Sequence, residues 1–128
     1  MKDSNISDSV WNRYLKKKYG KTYRVFRDEL GVWSIRCRYG FVQPYSIANK
    51  ELVAVLTYRT SRGINILIQK LQSEPALEFR ISQRGDFEVS LLFNEKNINQ
   101  MDRLLSFGHR RQISEEQKKI LIARLKLQ

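Results

Sequence analysis

Negative charge is in short supply in this chain: 13 Asp and Glu face 24 Lys and Arg in 128 residues, a formal net charge of +11 at neutral pH. Such an excess favours a polyanionic partner and says nothing about fold. Cysteine is scarcer still. Cys37 alone cannot close an intramolecular disulfide, and with no neighbouring His or Cys it is not a metal site; it reads as a small buried hydrophobe. The one histidine, His109, has no paired carboxylate or cysteine nearby in sequence, which argues against a His-based triad or a multi-His metal site. Long apolar runs are missing too: Leu52 to Leu56 and Ile120 to Ala123 fall far short of the ~20 residues that span a bilayer. Met1 to Ser9 has no apolar stretch of the signal-peptide kind, so a cytoplasmic location without membrane contact is expected. With 6 Gly, 2 Pro and no low-complexity segment, the chain reads as a flexible N-terminus over 1–8 and a single domain over 9–128.

Hydrophobic spacing predicts an α+β fold. Ser9 can cap a first helix running to about Lys18, with Val10, Trp11, Tyr14 and Leu15 as its apolar stripe and Gly20 as its stop. Thr22 to Arg38 alternates as a hairpin if Glu29, Leu30 and Gly31 form a three-residue loop with Gly31 left-handed. That register pairs Val25 with Ile35. It puts Tyr23, Val25, Trp33, Ile35 and Cys37 on a core face and Thr22, Arg24, Phe26, Ser34, Arg36 and Arg38 on a basic outer face. Leu77 to Phe93 repeats the design around Gly85, with Arg80 opposite Glu88, and a shift of 54 residues superposes the two hairpins. Its core face is Leu77, Phe79, Ile81, Phe87, Val89, Leu91 and Phe93.

Between the hairpins, Gly40 to Ser46 reads as a loop around Pro44, Ser46 or Asn49 as a helix start, and Leu52 to Tyr58 as a buried helix in preference to a buried strand. Ile64, Leu67, Ile68 and Leu71 mark a helix ending near Ser73. Ile98, Met101, Leu104 and Leu105 mark another, stopped by Gly108, and Ser114 with Gln117 forms a capping box for a last helix over about Glu115 to Leu127. The whole is two antiparallel hairpins, in one sheet, with helices on one face, in the order α-ββ-α(α)-ββ-α-α.

This order resembles the αββαββα order of LAGLIDADG homing endonucleases, whose antiparallel sheet lies on DNA. The resemblance is one of element order and implies sheet-mediated binding. The first helix, Val10 to Lys18, has neither the small-residue seam nor the terminal metal-binding acid of that family, so no catalytic residue is carried over.

The basic residues fall into candidate nucleic-acid-binding sets. On the outer face of the first hairpin, Arg24 opposes Arg36 with Arg38 two residues on; like charges opposed in a sheet repel, and a bound phosphate relieves them. Phe26 on that face can stack on an unpaired base. Lys16, Lys17, Lys18 and Lys21 form the densest cluster, although cations at a helix C-terminus also complement its dipole. Arg110 and Arg111, after His109, form a third set with Lys118 and Lys119. Arg59 and Arg62 around Thr60 and Ser61 make a turn that can hold a phosphate. Acids are dispersed: Asp28, Asp86 and Glu88 could meet around Mg²⁺, but no spacing signals it, and no phosphate-cradling loop or dinucleotide fingerprint occurs. No cofactor, metal or catalysis is expected. The expected function is binding of nucleic acid, DNA or RNA, through its phosphates. The alternative is an adaptor or inhibitor docking on an acidic protein. Apolar residues on more than one face of the last helix also allow a homo-oligomer.

Overall fold

The computed structural model describes residues 8–110 and 115–126, and its centre is one six-stranded antiparallel sheet in the order β1-β2-β3-β4-β6-β5. Helix α1 (Asp8–Tyr19) precedes four consecutive strands: β1 (Val25–Arg27), β2 (Trp33–Cys37), β3 (Gly40–Ser46) and β4 (Glu51–Thr57). Helix α2 (Ser61–Ser73), strands β5 (Phe79–Arg84) and β6 (Glu88–Asn94), a 3-10 turn over Glu95–Asn97, α3 (Ile98–Leu105) and α4 (Glu115–Lys126) complete the chain. The expected flexible N-terminus, apart from its last residue, Arg111 and the Ser114 cap lie outside the described residues.

The first hairpin follows its expected register, with Val25 opposite Ile35 and Gly31 at φ +84°. Asp28 organises the turn: its carboxylate accepts from Leu30 N at 2.9 Å, Val32 N at 2.8 Å and Gln43 Nε2 at 2.7 Å. The Val32 amide above all, with the other donors, holds that carboxyl below the usual aspartate range. Asp28 is therefore occupied as a turn residue.

The segment between the hairpins departs from expectation. Gly40–Ser46 is a strand and not a loop, no helix starts at Ser46 or Asn49, and 51–57 is a strand and not a helix. Pro44 is tolerated because the register of β3 against β4 shifts between Pro44 and Ser46, where a bulge accommodates a residue that cannot donate. The Ser46 hydroxyl accepts from Asn49 N at 3.2 Å, so it closes the β3–β4 turn. In β4, Leu52, Ala54 and Leu56 are fully buried under the helices while Val53 and Val55 are half-buried on the other face. A strand with apolar residues on both faces shows no alternation, which is why it passes for a helix. The element order is thus α-ββββ-α-ββ-α-α, and the αββαββα correspondence on which the endonuclease resemblance rests does not hold.

The second hairpin forms four residues away from its expected register: Phe79 pairs with Phe93 and Arg80 with Leu92. Arg80 consequently salt-bridges Glu51 at 3.0 Å and does not face Glu88. A four-residue slip preserves the faces, so Val89, Leu91 and Phe93 stay in the core, but Ile81 and Phe87 lie near the tip and are exposed. A bulge between Ile81 and Gln83 moves the turn to Asp86 and Phe87, and Gly85 is not left-handed. The 54-residue superposition therefore fails at the level of register.

Helices α1, α2 and α3 cover one face of the sheet. Leu15 of α1, Ile64, Leu67, Ile68 and Leu71 of α2, and Met101 and Leu105 of α3 meet Ile35, Val42, Leu52, Ala54, Leu56, Leu91 and Phe93 in one core. The Thr60 hydroxyl caps α2 through Gly63 N at 3.1 Å, so the Arg59–Arg62 turn uses it structurally. Helix α3 stops at Ser106, which takes the left-handed conformation at φ 55°, and not at Gly108. Every described side chain of α4 is exposed, Ile120, Leu121, Ile122 and Leu125 included. No helix among the described residues is long and apolar enough to cross a membrane.

Ile35 is fully buried at the centre of the first hairpin. Ile35→Ala is expected to cost ~2 to 5 kcal/mol of unfolding free energy, measured by denaturant titration. Exposed Arg36, one residue away, is expected to tolerate Ala with stability level or raised by up to ~1 kcal/mol.

Candidate nucleic-acid interface

Past Arg24 and Arg36 the first two strands part, and the chain after α3 inserts between them. Arg36 N still donates to Arg24 O at 3.0 Å, but beyond it Gly108 N donates to Arg36 O and Gly108 O accepts from Arg24 N, both at 2.7 Å. Arg38 N to Ser106 O at 3.1 Å and Arg110 N to Thr22 O at 3.0 Å extend the ladder on either side. A Cβ on residue 108 would sit 3.2 Å from Arg24 Cβ, so this approach favours glycine. The wedge carries Arg110 to the end of α1, where its guanidinium donates to Gly20 O at 3.1 Å.

Helix α1 is fixed by a buried carboxylate. Glu95 accepts from Tyr14 Oη at 2.6 Å and from Tyr19 Oη, and Lys18 Nζ lies 2.8 Å away. Burial pulls its carboxyl upward, but the hydrogen bonds from Lys18, Tyr14 and Tyr19 outweigh that and leave it below the ordinary glutamate range. Lys18 thus points to this hub.

With α1 fixed and the wedge in place, Lys16, Lys17, Lys21, Arg24, Phe26, Arg36 and Arg110 line one open groove of about 560 Å³, together with Gly20 and Val25. It runs from the last turn of α1 across edge strand β1 to the face of the sheet opposite α1, α2 and α3. Seven residues singled out from sequence, drawn from three separated stretches of chain (16–26, Arg36 and Arg110), meet there. An adjoining concavity, which shares Lys16 and Lys17, is lined by Asn12, Arg13, Arg27, Gly31 and Trp33. Among the described residues, no acidic side chain lines either one.

The acids are spent elsewhere. The ion pairs among the described residues are Lys18 with Glu95, Arg80 with Glu51, Lys96 with Glu78, Arg103 with Glu74, and His109 with Asp102. None of the groove cations takes part in one. His109 does have a carboxylate partner, contrary to the sequence reading: Asp102, on α3, lies 2.8 Å away.

Other candidates lie apart. Arg38 lines a separate concavity with Tyr39, Tyr58, Lys70 and Arg103. Lys118 and Lys119 are exposed on α4 and line neither basic concavity. Trp33 was assigned to the core face but is only half-buried, at the start of β2; its place opposite Arg27 near the hairpin tip was the signal that it would not be fully covered. Among the described residues no three His, Cys, Asp or Glu cluster as metal ligands. No protein-family model, curated protein or solved structure matches the chain.

The Glu95 hub has a signed pH dependence. Because the folded value is depressed, its stabilisation is complete above the ordinary 4.5 and is lost as pH falls through the lower folded value. Acid unfolding followed by circular dichroism is expected to show this loss in the parent. In Glu95→Gln, stability is expected to be ~1 to 3 kcal/mol lower at neutral pH and flatter in acid.

Proposed function

We propose that the chain binds nucleic acid, with the groove between α1, β1 and β2 holding the phosphate backbone. One observation carries this reading: six cations, four from 16–24 with Arg36 and Arg110, line a single groove with no acidic side chain among the described residues, while the cations of the described ion pairs lie elsewhere. Converging like charges repel one another in the free protein. A polyanion removes that repulsion and releases its own counterions, which makes association favourable and strongly salt-dependent. The groove is open and takes its cations from α1, the segment leading into β1, β2 and the segment after α3, which suits a chain of phosphates better than a single small anion. The proposed role needs no bond-making chemistry, and Asp28, an acid in the loop of this hairpin, is engaged in its turn.

A second reading, docking on an acidic protein, draws on α4, where Ile120, Leu121, Ile122 and Leu125 are exposed beside Lys118 and Lys119. Salt dependence separates the two. With six phosphates neutralised, log K is expected to fall with log salt at a slope of about −5 on duplex and about −4 on single strands. The double variant Arg24→Ala, Arg36→Ala should make the slope shallower by roughly 1.5 to 2 while remaining folded. Absence of binding to DNA and RNA near physiological salt sinks the proposal. Unchanged binding by the double variant moves the site away from this groove.

A further inference from the structure

Two aromatic rings at the site are each covered by one of its own cations. The Arg36 guanidinium lies 4.8 Å from the centre of the Phe26 ring, and Lys16 Nζ lies 4.2 Å from that of Trp33. Phe26 is braced edge-on by Phe41, with centroids 6.2 Å apart, and both Phe26 and Trp33 are only half-buried. A cation over an exposed ring is a weak pairing, and the same cation gains more from a charge-assisted bond to phosphate. A ligand that brings an anion and a flat ring together satisfies both halves of each pair: the phosphate takes the cation and the base takes the vacated ring face. A base-free polyanion or an acidic protein surface offers only the first half. A duplex offers the phosphate but keeps its base faces stacked inside.

Resting on the nucleic-acid reading above, we infer that the groove takes unpaired nucleotides, with a phosphate at Lys16 and Lys17 and bases stacked on Phe26 to one side and Trp33 to the other. The two lysines line both concavities, which makes them the junction between the stacking stations. Cations that track the backbone and rings that accept any base are the features of single-strand binding with little sequence preference.

The test is fluorescence anisotropy with labelled oligo-dT and oligo-U, a mixed-sequence duplex of equal length, and inorganic polyphosphate as a base-free competitor. The proteins are the parent, Phe26→Leu and Trp33→Leu, which keep apolar bulk without a ring, and Phe26→Tyr, which keeps the ring. Single strands of either sugar are expected to bind more tightly than duplex. Each Leu variant should lose ~10-fold in single-strand affinity, Phe26→Tyr should match the parent, and polyphosphate affinity should not change. In a Trp11→Phe background, Trp33 fluorescence should be quenched by single strands and not by polyphosphate. That quenching and Phe26→Leu decide the matter even where Trp33→Leu does not fold. Equal affinity for duplex and single strands, with Leu variants binding like the parent and Trp33 unquenched, overturns stacking and leaves a backbone-binding groove standing. Binding to no nucleic acid at all overturns the nucleic-acid reading itself.

Discussion

The basic groove depends on a short piece of backbone pairing: the segment Ser106 to Arg110 wedged between the diverging ends of β1 and β2. Four main-chain hydrogen bonds hold it, two to each strand. They satisfy groups that would be left open where the strands separate, and such groups are costly to bury unpaired. The wedge also joins distant parts of the sequence. Without it Arg110 would not reach Gly20, and the groove would lose that cation. Phe107 and His109 point from it against Tyr23, with ring centroids 5.5 and 5.1 Å away, so the aromatic packing that anchors the wedge lies on the face opposite to the cations.

A second constraint orients the other wall. Glu95 has only 8% of its surface exposed, and a carboxylate there is stable only because two phenols and an ammonium surround it. All three donors come from α1, so one buried charge fixes the rotation of that helix and turns Lys16 and Lys17 toward the groove while Lys18 is held away. Three adjacent lysines that look equivalent in sequence therefore have different surroundings. The distribution of acids extends the same logic: six of the thirteen serve turns, ion pairs or this hub, and none of the described acidic side chains lines the groove.

The first hairpin was legible because two local signals agreed: alternation, and a glycine where the turn needs φ above zero; Asp28, which closes the turn, was not among them. The helices α1, α2 and α3 were legible from apolar spacing alone. What the sequence concealed was set by non-local pairing. Strand β4 is central and apolar on both faces, so it has no period to read, and β3 was hidden by Pro44, which a bulge keeps in the sheet between β2 and β4. The second hairpin has no strongly placed turn residue, and its register was decided instead by Phe79 meeting Phe93 over the core. At the site, the sequence placed Arg24, Phe26 and Arg36 on one face through a register that the structure reproduces. The wedge was invisible, because Ser106 to Arg110 has neither strand length nor alternation, and its place is defined only once β1 and β2 have parted.

These features would make the proposed polyanion binding and the folding of the groove interdependent. The groove gathers charges whose mutual repulsion opposes the arrangement, and it closes only when the segment after α3 docks between two strands near the other end of the chain. A polyanion that binds the assembled groove, and not its separated parts, must stabilise that docking by its own binding free energy. The sheet beneath needs no such help: its core under α1, α2 and α3 is continuous from Ile35 to Phe93 and includes none of the groove cations. The division gives the molecule an apolar platform and a charged rim whose docking a bound polyanion would stabilise. The cations are free to change partners because α1 is held by Glu95 and not by them. Lys16 and Arg36 can therefore leave their rings for a phosphate without loosening the helix or the strand that carries them.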